Sequence, residues 1–166
     1  MSPSPPTRPA TPGDIPELVR LINEAYRVEA FFIRGDRTST REIRSLMEAS
    51  DAGFLVVDNA DPGRLAGAVY VEARGARGHF GLLAVDPGQQ GKGLGRRLVA
   101  AVEAHCRQAG CVVVELEVFD VRTELHPFYA SCGYVAGGEV SFARPELLLK
   151  PAHLVVMRKA LGPDRE

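Results

Sequence analysis

The sequence predicts one α+β domain, a mostly antiparallel sheet flanked by about four helices and broken by a single β-α-β crossover. Two observations carry that expectation. Apolar, β-branched runs of strand length alternate with stretches of helical period, and turn-forming clusters mark the switches between them. The strongest helical stretch, residues 93–109, lies between two strand-like runs, residues 79–85 and 111–119, and so defines the crossover. No internal repeat or low-complexity linker divides the 166 residues, a length that suits one domain with a proper core.

Taken in order, residues 7–10 are a short extended stretch, and Thr11-Pro12-Gly13-Asp14 reads as a helix start. Threonine caps, proline takes the first turn, and aspartate favours the positive end of the helix dipole. Ile15, Leu18, Val19, Ile22, Ala25 and Tyr26 then recur at helical spacing. Residues 28–37 hold Phe31, Phe32 and Ile33 without a clear period. Ser39-Thr40-Arg41-Glu42 has the form of a capping box and opens a second helix through Ile43, Leu46 and Met47. Residues 53–57 and 65–73 are apolar runs joined by Asp58-Asn59-Ala60-Asp61-Pro62-Gly63, a loop of strong turn chemistry. They are expected to pair antiparallel. The run 79–85 stops at Asp86-Pro87-Gly88. The long helix follows, with Leu94, Leu98, Ala101, Val102 and His105 expected on its buried face and Gly110 as its stop. After the strand at 111–119, residues 126–132 read as a short helix ended by Gly133. The chain is extended again from Tyr134, and Leu154-Val155-Val156-Met157 makes a last strand. Residues 1–6 and 162–166 are expected to be disordered tails around a domain spanning 7–161.

Composition narrows the function. Hydrophobic residues make up 45% of the chain and charged residues 25%, an ordinary globular balance. A net charge of −1 provides no basic footprint, so no nucleic-acid partner is expected. No apolar run approaches the roughly 20 residues that cross a bilayer, so no membrane partner is expected either. The Pro/Ser-rich start lacks a charged segment followed by an apolar one and does not read as a secretory signal. Cys106, Cys111 and Cys132 are odd in number and follow no metal-ligand spacing. They read as small buried residues of a cytoplasmic protein without a metal site.

The most informative segment is Val85-Asp86-Pro87-Gly88-Gln89-Gln90-Gly91-Lys92-Gly93-Leu94-Gly95, where a strand ends, a glycine-rich loop follows and a long helix opens. Glycines let the backbone turn tightly and approach a bulky anion closely. The first helical amides have no internal acceptors, and the dipole adds positive potential, so pyrophosphate binding is natural there. Lys92, Arg96 and Arg97 add charge to the rim. Gly-Lys is not followed by Ser or Thr as a Walker loop requires, and the G-x-G-x-G alternation is not a dinucleotide fingerprint. An unrelated nucleotide-binding protein is therefore disfavoured.

Gln90-Gly91-Lys92-Gly93-Leu94-Gly95 fits the Q/R-x-x-G-x-G/A signature of the GNAT superfamily of acyl-CoA-dependent N-acyltransferases. Leu83-Ala84-Val85-Asp86-Pro87 resembles the strand that leads into that signature. Phe128-Tyr129-Ala130-Ser131-Cys132-Gly133-Tyr134 is similar to the family's later aromatic-Tyr-x-x-x-Gly-aromatic segment. The resemblance extends over residues 7–161. It implies a GNAT-like sheet splayed between the strands at 79–85 and 111–119, with the pantetheine arm of acetyl-CoA bonded to backbone around Leu83 and Val85. An amide near Leu83 would polarise the thioester carbonyl. The cofactor site so implied comprises Leu83, Ala84, Val85, Gln90, Gly91, Lys92, Gly93, Leu94, Gly95 and Arg96, with no metal.

The implied reaction is transfer of an acetyl group from acetyl-CoA to a primary amine by direct attack in a ternary complex. A non-catalytic acyl-CoA-binding module of the same fold is the alternative. Tyr129 matches the tyrosine that the family places beside the CoA sulfur, where a phenol can protonate or hydrogen-bond the thiolate. Some members carry a glutamate six residues before the valine that ends the strand. Here that position is His79, a candidate base near neutral pH. Glu72, Glu115 and Glu117 are alternatives on neighbouring strands, with Glu115 and Glu117 on one face by alternation. Many members have an asparagine seven residues before the motif tyrosine. This chain has Arg122, whose charged fork suits an anionic acceptor group or a pairing with Glu124 or Asp120. Phe31, Phe32 and Arg122 are the candidate acceptor contacts, with residues 142–149 as a second lining region. The expected partner is a small-molecule amine or a peptide amine, and a homodimer is left open.

Overall fold

The computed structural model describes residues 5–162, and most of the expected tail residues, 1–4 and 163–166, lie outside that range. Seven strands form one sheet in the order β1-β2-β3-β4-β5-β7-β6. β1 (Thr7–Pro9) lies on β2 (Ala52–Asp58), which pairs with β3 (Leu65–Arg74), and β3 pairs with β4 (Arg77–Val85), all antiparallel. β5 (Val113–Phe119) runs parallel to β4 and antiparallel to β7 (Leu154–Ala160), with β6 (Val135–Val140) on the outer side of β7. The mostly antiparallel sheet with one crossover is therefore present.

The helices lie on both faces. α1 (Ile15–Ala25) and α2 (Thr40–Glu48) pack Ile15, Leu18, Leu21, Ile22 and Ile43 against Phe54, Val56, Ala68 and Tyr70. On the other face, α3 (Leu94–Gln108) and α4 (Leu125–Ser131) pack Leu98, Val102, Cys106 and Tyr129 against Val69, Val71, Phe80, Val114 and Leu116. Alternate residues of β2 and β3 feed opposite cores, which is why both strands read as near-continuous apolar runs.

At the helix starts the Ser39 cap is present as expected, but Thr11 makes no side-chain capping bond and Asp14 takes the cap position of α1. A tight turn at Pro12–Asp14 precedes α1, and the Asp14 carboxylate accepts from the Thr11 N–H at 2.8 Å and from Arg8 at 2.9 Å. Ser39 caps α2 by accepting from the Glu42 N–H at 3.2 Å. The buried face of α3 is corrected as well. His105 is exposed on α3 and Ala101 only half-buried, while Val99, Glu103 and Cys106 lie inside. The buried stripe leans to the side of residues 99 and 106 because the sheet meets the helix there. Glu103 is accommodated by the Tyr134 hydroxyl at 3.1 Å and the Lys159 ammonium at 2.8 Å.

Candidate active site

The site is organised by an opening between β4 and β5. Their parallel register holds at Arg77–Val113, Gly78–Val114 and His79–Glu115, and then the strands part. This is the splay that the family resemblance implied. On the other side of β4, Ala84 stands opposite Ala68 and Gly81 opposite Tyr70, so Leu82 and Leu83 together face Val69. This bulge holds Leu82 at φ +51°, an uncommon conformation for leucine. Bulges bend a strand and re-aim its side chains, and this one falls where the sheet opens.

Two spaces meet at the opening and a third adjoins one of them. A groove of about 390 Å³ is lined by Leu83, Val85, Gln90, Gly91, Gly93, Leu94, Gly95 and Arg96, together with Arg122, Leu125 and Phe128. A cavity of about 300 Å³ is lined by His79, Leu83, Glu117, Leu125 and Tyr129 among others. Groove and cavity share Leu83 and Leu125, so they meet at the bulge. A further cavity of about 310 Å³ shares Tyr26, Glu29, Arg37, Glu42 and Phe142 with the one before it.

The groove fits an anion at the glycine loop. Gly91 and Gly93 adopt φ of +81° and +77°, where a side chain would be strained. Among the described residues, the backbone N–H groups of residues 91–96 find no backbone acceptor. The first helical bond runs from the Arg97 N–H to the Gly93 carbonyl at 3.1 Å. These free amides and the α3 dipole together favour negative charge. Arg96 is held at the rim, its guanidinium donating to Ser131 Oγ at 2.7 Å and lying 5.7 Å from the Phe128 ring. Three other expected residues lie elsewhere. Lys92 is exposed and donates to Gln89 at 3.1 Å, Arg97 donates to the Pro5 carbonyl, and Ala84 is buried in the α1-side core.

Tyr129 and His79 line the same cavity. The Tyr129 ring packs against Phe80, Phe128 and Tyr134, with centroids 6.0, 5.0 and 6.2 Å away. Burial pushes its phenol far above the usual range, so it stays protonated. His79 Nε2 is 2.5 Å from Glu117 Oε2. That hydrogen bond raises the imidazole above its ordinary value, against the lowering effect of burial, and it lowers Glu117 in return. The other carboxylates are engaged elsewhere. Glu115 pairs with Arg77 at 3.0 Å and Arg158 at 2.7 Å, and Glu72 accepts from the Tyr70 hydroxyl at 2.7 Å.

The acceptor-side expectations are only partly brought together. Arg122 lines the groove and donates to Glu29 at 2.7 Å and to Glu124 at 2.6 Å, so its fork is already occupied. Phe32 is fully buried, edge-on to Phe119 at 5.0 Å, and shapes the cavity from behind through that ring. Phe31 is half exposed beneath Lys150. Phe142 does line both cavities. Sequence reasoning missed Glu29, Tyr70 and the Leu82 bulge. Tyr26 carried a helical-period signal that pointed to core, and Glu29 carried none.

Comparison with known proteins agrees with this geometry. The model of the acetyltransferase (GNAT) family matches residues 15–134. A glucosamine 6-phosphate N-acetyltransferase 1 of Oryza sativa subsp. japonica is 40% identical over 93 residues, 52% of this chain and 54% of that protein. The chain thus spans about half the length of this curated relative. The crystal structure of Ard1 from Thermoplasma volcanium has a TM-score of 0.76 at 20% identity, covering 94% of this chain and 97% of that one. An aminoglycoside 6'-N-acetyltransferase solved with coenzyme A has a TM-score of 0.75 at 16% identity, covering 96% and 99%. These two likenesses show the fold. With the splayed sheet, the glycine loop and the family match over most of its length, the chain belongs to the acetyltransferase (GNAT) family.

Proposed function

We propose that the protein is an N-acetyltransferase that moves an acetyl group from acetyl-CoA to a primary amine by direct attack in a ternary complex. The observation that carries this reading is the meeting of the glycine-loop groove with the His79–Tyr129 cavity at Leu83. Acetyl-CoA, when bound, supplies a thioester activated toward amines. The amides of residues 91–96, with the Gln90 and Arg96 side chains, hold its pyrophosphate, and the backbone of Leu83 and Val85 holds its pantetheine arm, with Ala84 anchoring the strand from the core. The Leu83 N–H polarises the thioester carbonyl. His79 takes the proton of the acceptor ammonium, directly or through water, and Tyr129 meets the departing sulfur with its O–H. The neutral amine would add to the thioester carbon to form the C–N bond, the C–S bond would then break, and the second nitrogen proton would replace the one that Tyr129 gives the thiolate. Phe32 and Arg122 shape the acceptor side through Phe119 and Glu29, and Phe31 flanks it. The similarity to a glucosamine 6-phosphate N-acetyltransferase supports an amine acceptor. Three unpaired cysteines fit the cytoplasm as its compartment, and among the described residues no helix is long and apolar enough to cross a membrane.

The test is acetyl-CoA binding followed by a thiol-release screen over amines, polyamines, amino acids and peptides. Binding with turnover on at least one amine is expected. Binding without turnover across the panel would replace this reading with that of a non-catalytic acyl-CoA module.

A further inference from the structure

Glu29 stands where the two acceptor-side cavities join, lining both while only 4% exposed. Its Oε2 accepts from Arg122 at 2.7 Å, but its Oε1 is buried with no hydrogen-bond partner among the described residues. Folded proteins satisfy nearly all buried polar groups, because an unpaired one keeps its desolvation cost. Arg122 is shared with Glu124 at 2.6 Å, so one guanidinium serves two carboxylates. The neighbouring groups do not fill the gap. The Arg37 guanidinium lies 5.4 Å from the Tyr26 ring centre, and Glu42 receives the Thr38 hydroxyl at 3.2 Å. Tyr26 and Arg37 line both cavities and carry donors of their own, yet neither bonds to Glu29 Oε1.

We infer that Glu29 is a specificity-determining residue that receives a hydrogen-bond donor from the acceptor. On the acetyltransferase reading, the acceptor carries a second N–H or O–H group beside its reacting amine, and Glu29 Oε1 accepts from it at the seam of the cavities. The acceptor class is therefore an amino alcohol, amino sugar or diamine rather than a simple alkylamine. Arg122 is a positioning residue, since it fixes the carboxylate from the groove side. This gives a use to the arginine that stands where many family members have asparagine.

The experiment compares matched acceptors: butylamine with 4-aminobutan-1-ol and 1,4-diaminobutane, and cyclohexylamine with glucosamine. Acetyl transfer is followed by CoA release, and binding of the same amines to the CoA complex is followed by calorimetry. Wild-type protein is expected to favour donor-bearing acceptors, and the hydroxyl and ammonium arms show which donor it takes. Glu29→Gln still offers Arg122 an oxygen but turns an N–H donor toward the seam. Its ratio of kcat/KM for donor-bearing over donor-free acceptors is expected to fall about 10- to 100-fold, through KM rather than kcat. Equal kcat/KM across the wild-type panel overturns the inference without any variant. So does an unchanged ratio in Glu29→Gln. If no amine is acetylated, the acetyltransferase reading fails separately. The calorimetric preference, present or absent, still decides the role of Glu29.

Discussion

His79 lies 2.5 Å from the Glu117 carboxylate, and this contact raises the imidazole above its ordinary value of 6.5. In the proposed mechanism His79 serves as base only when neutral, so the rate of a chemistry-limited enzyme is expected to rise with pH through a value above 6.5. His79→Ala is expected to lower turnover most on the acidic side. Glu117→Gln is expected to move the acidic limb of the pH–rate profile downward, because the group that raises His79 is lost. A profile unmoved by either change would assign the base elsewhere. Stability runs the other way. The raised His79 contributes fully below 6.5 and loses that contribution as pH rises through its folded value, whereas the lowered Glu117 contributes above 4.5. The pair supports the fold best between those two values, and both groups are exposed enough for solvent to weaken it. Tyr129 behaves differently, because burial keeps its phenol protonated throughout. Tyr129→Phe keeps the ring packing and removes the O–H, so turnover is expected to fall about 10²- to 10⁴-fold with little change in CoA affinity, measured by single-turnover CoA release. Of these residues, His79 and Tyr129 were singled out by their motif positions, and the fold places both on one cavity. The choice of Glu117 over Glu115 was not legible in the sequence, since alternation places both on one face and only Arg77 and Arg158 separate them.

Among the elements, the loop before α3 was read most fully from sequence. Its glycines, its position after a strand and the free amides behind it are all local features. Gly93 holds φ +77° at the start of the helix, with nothing within 4 Å of an added Cβ. Gly93→Glu is expected to abolish CoA binding in a titration, through strain at that backbone and repulsion of the pyrophosphate. A folded variant with normal affinity would move the site off this loop. The β4 bulge is the opposite case. Residues 79–85 read as an uninterrupted strand, because a bulge is a mismatch in count between two strands and neither strand alone reveals it. The tilt of the α3 stripe was hidden for a similar reason, as it depends on where the sheet touches the helix.

At the scale of the whole molecule, the groove joins groups from α1, β4, the glycine loop, α3, α4 and the segment that carries Arg122. No unfolded chain holds these together, so acetyl-CoA and CoA should bind the native state alone. Ligand at a hundred times its dissociation constant then adds about 2.7 kcal/mol, seen as a rise of several degrees in Tm in a thermal-shift titration. Free CoA is expected to act nearly as well as acetyl-CoA, since most contacts fall on the pyrophosphate and pantetheine. A Tm indifferent to millimolar CoA would remove the cofactor assignment.

The amino-acid sequence alone determined the element order and marked the glycine loop as the candidate anion site, because periodicity, capping and glycine placement act within a few residues of each other. Through two motifs at family-like separation it also singled out Tyr129 and the strand ending at Val85 as the candidates to flank the chemistry. The tertiary structure decided what those local signals cannot encode. It opened the sheet beyond His79, set Leu82 and Leu83 against the single residue Val69, joined Glu117 to His79, and placed Arg122 on Glu29 across 93 positions of chain. Each of these depends on how separate segments meet. Partner choice among several carboxylates is settled by distance and burial in the folded chain, where a pairing takes effect only once both groups share the same desolvated space.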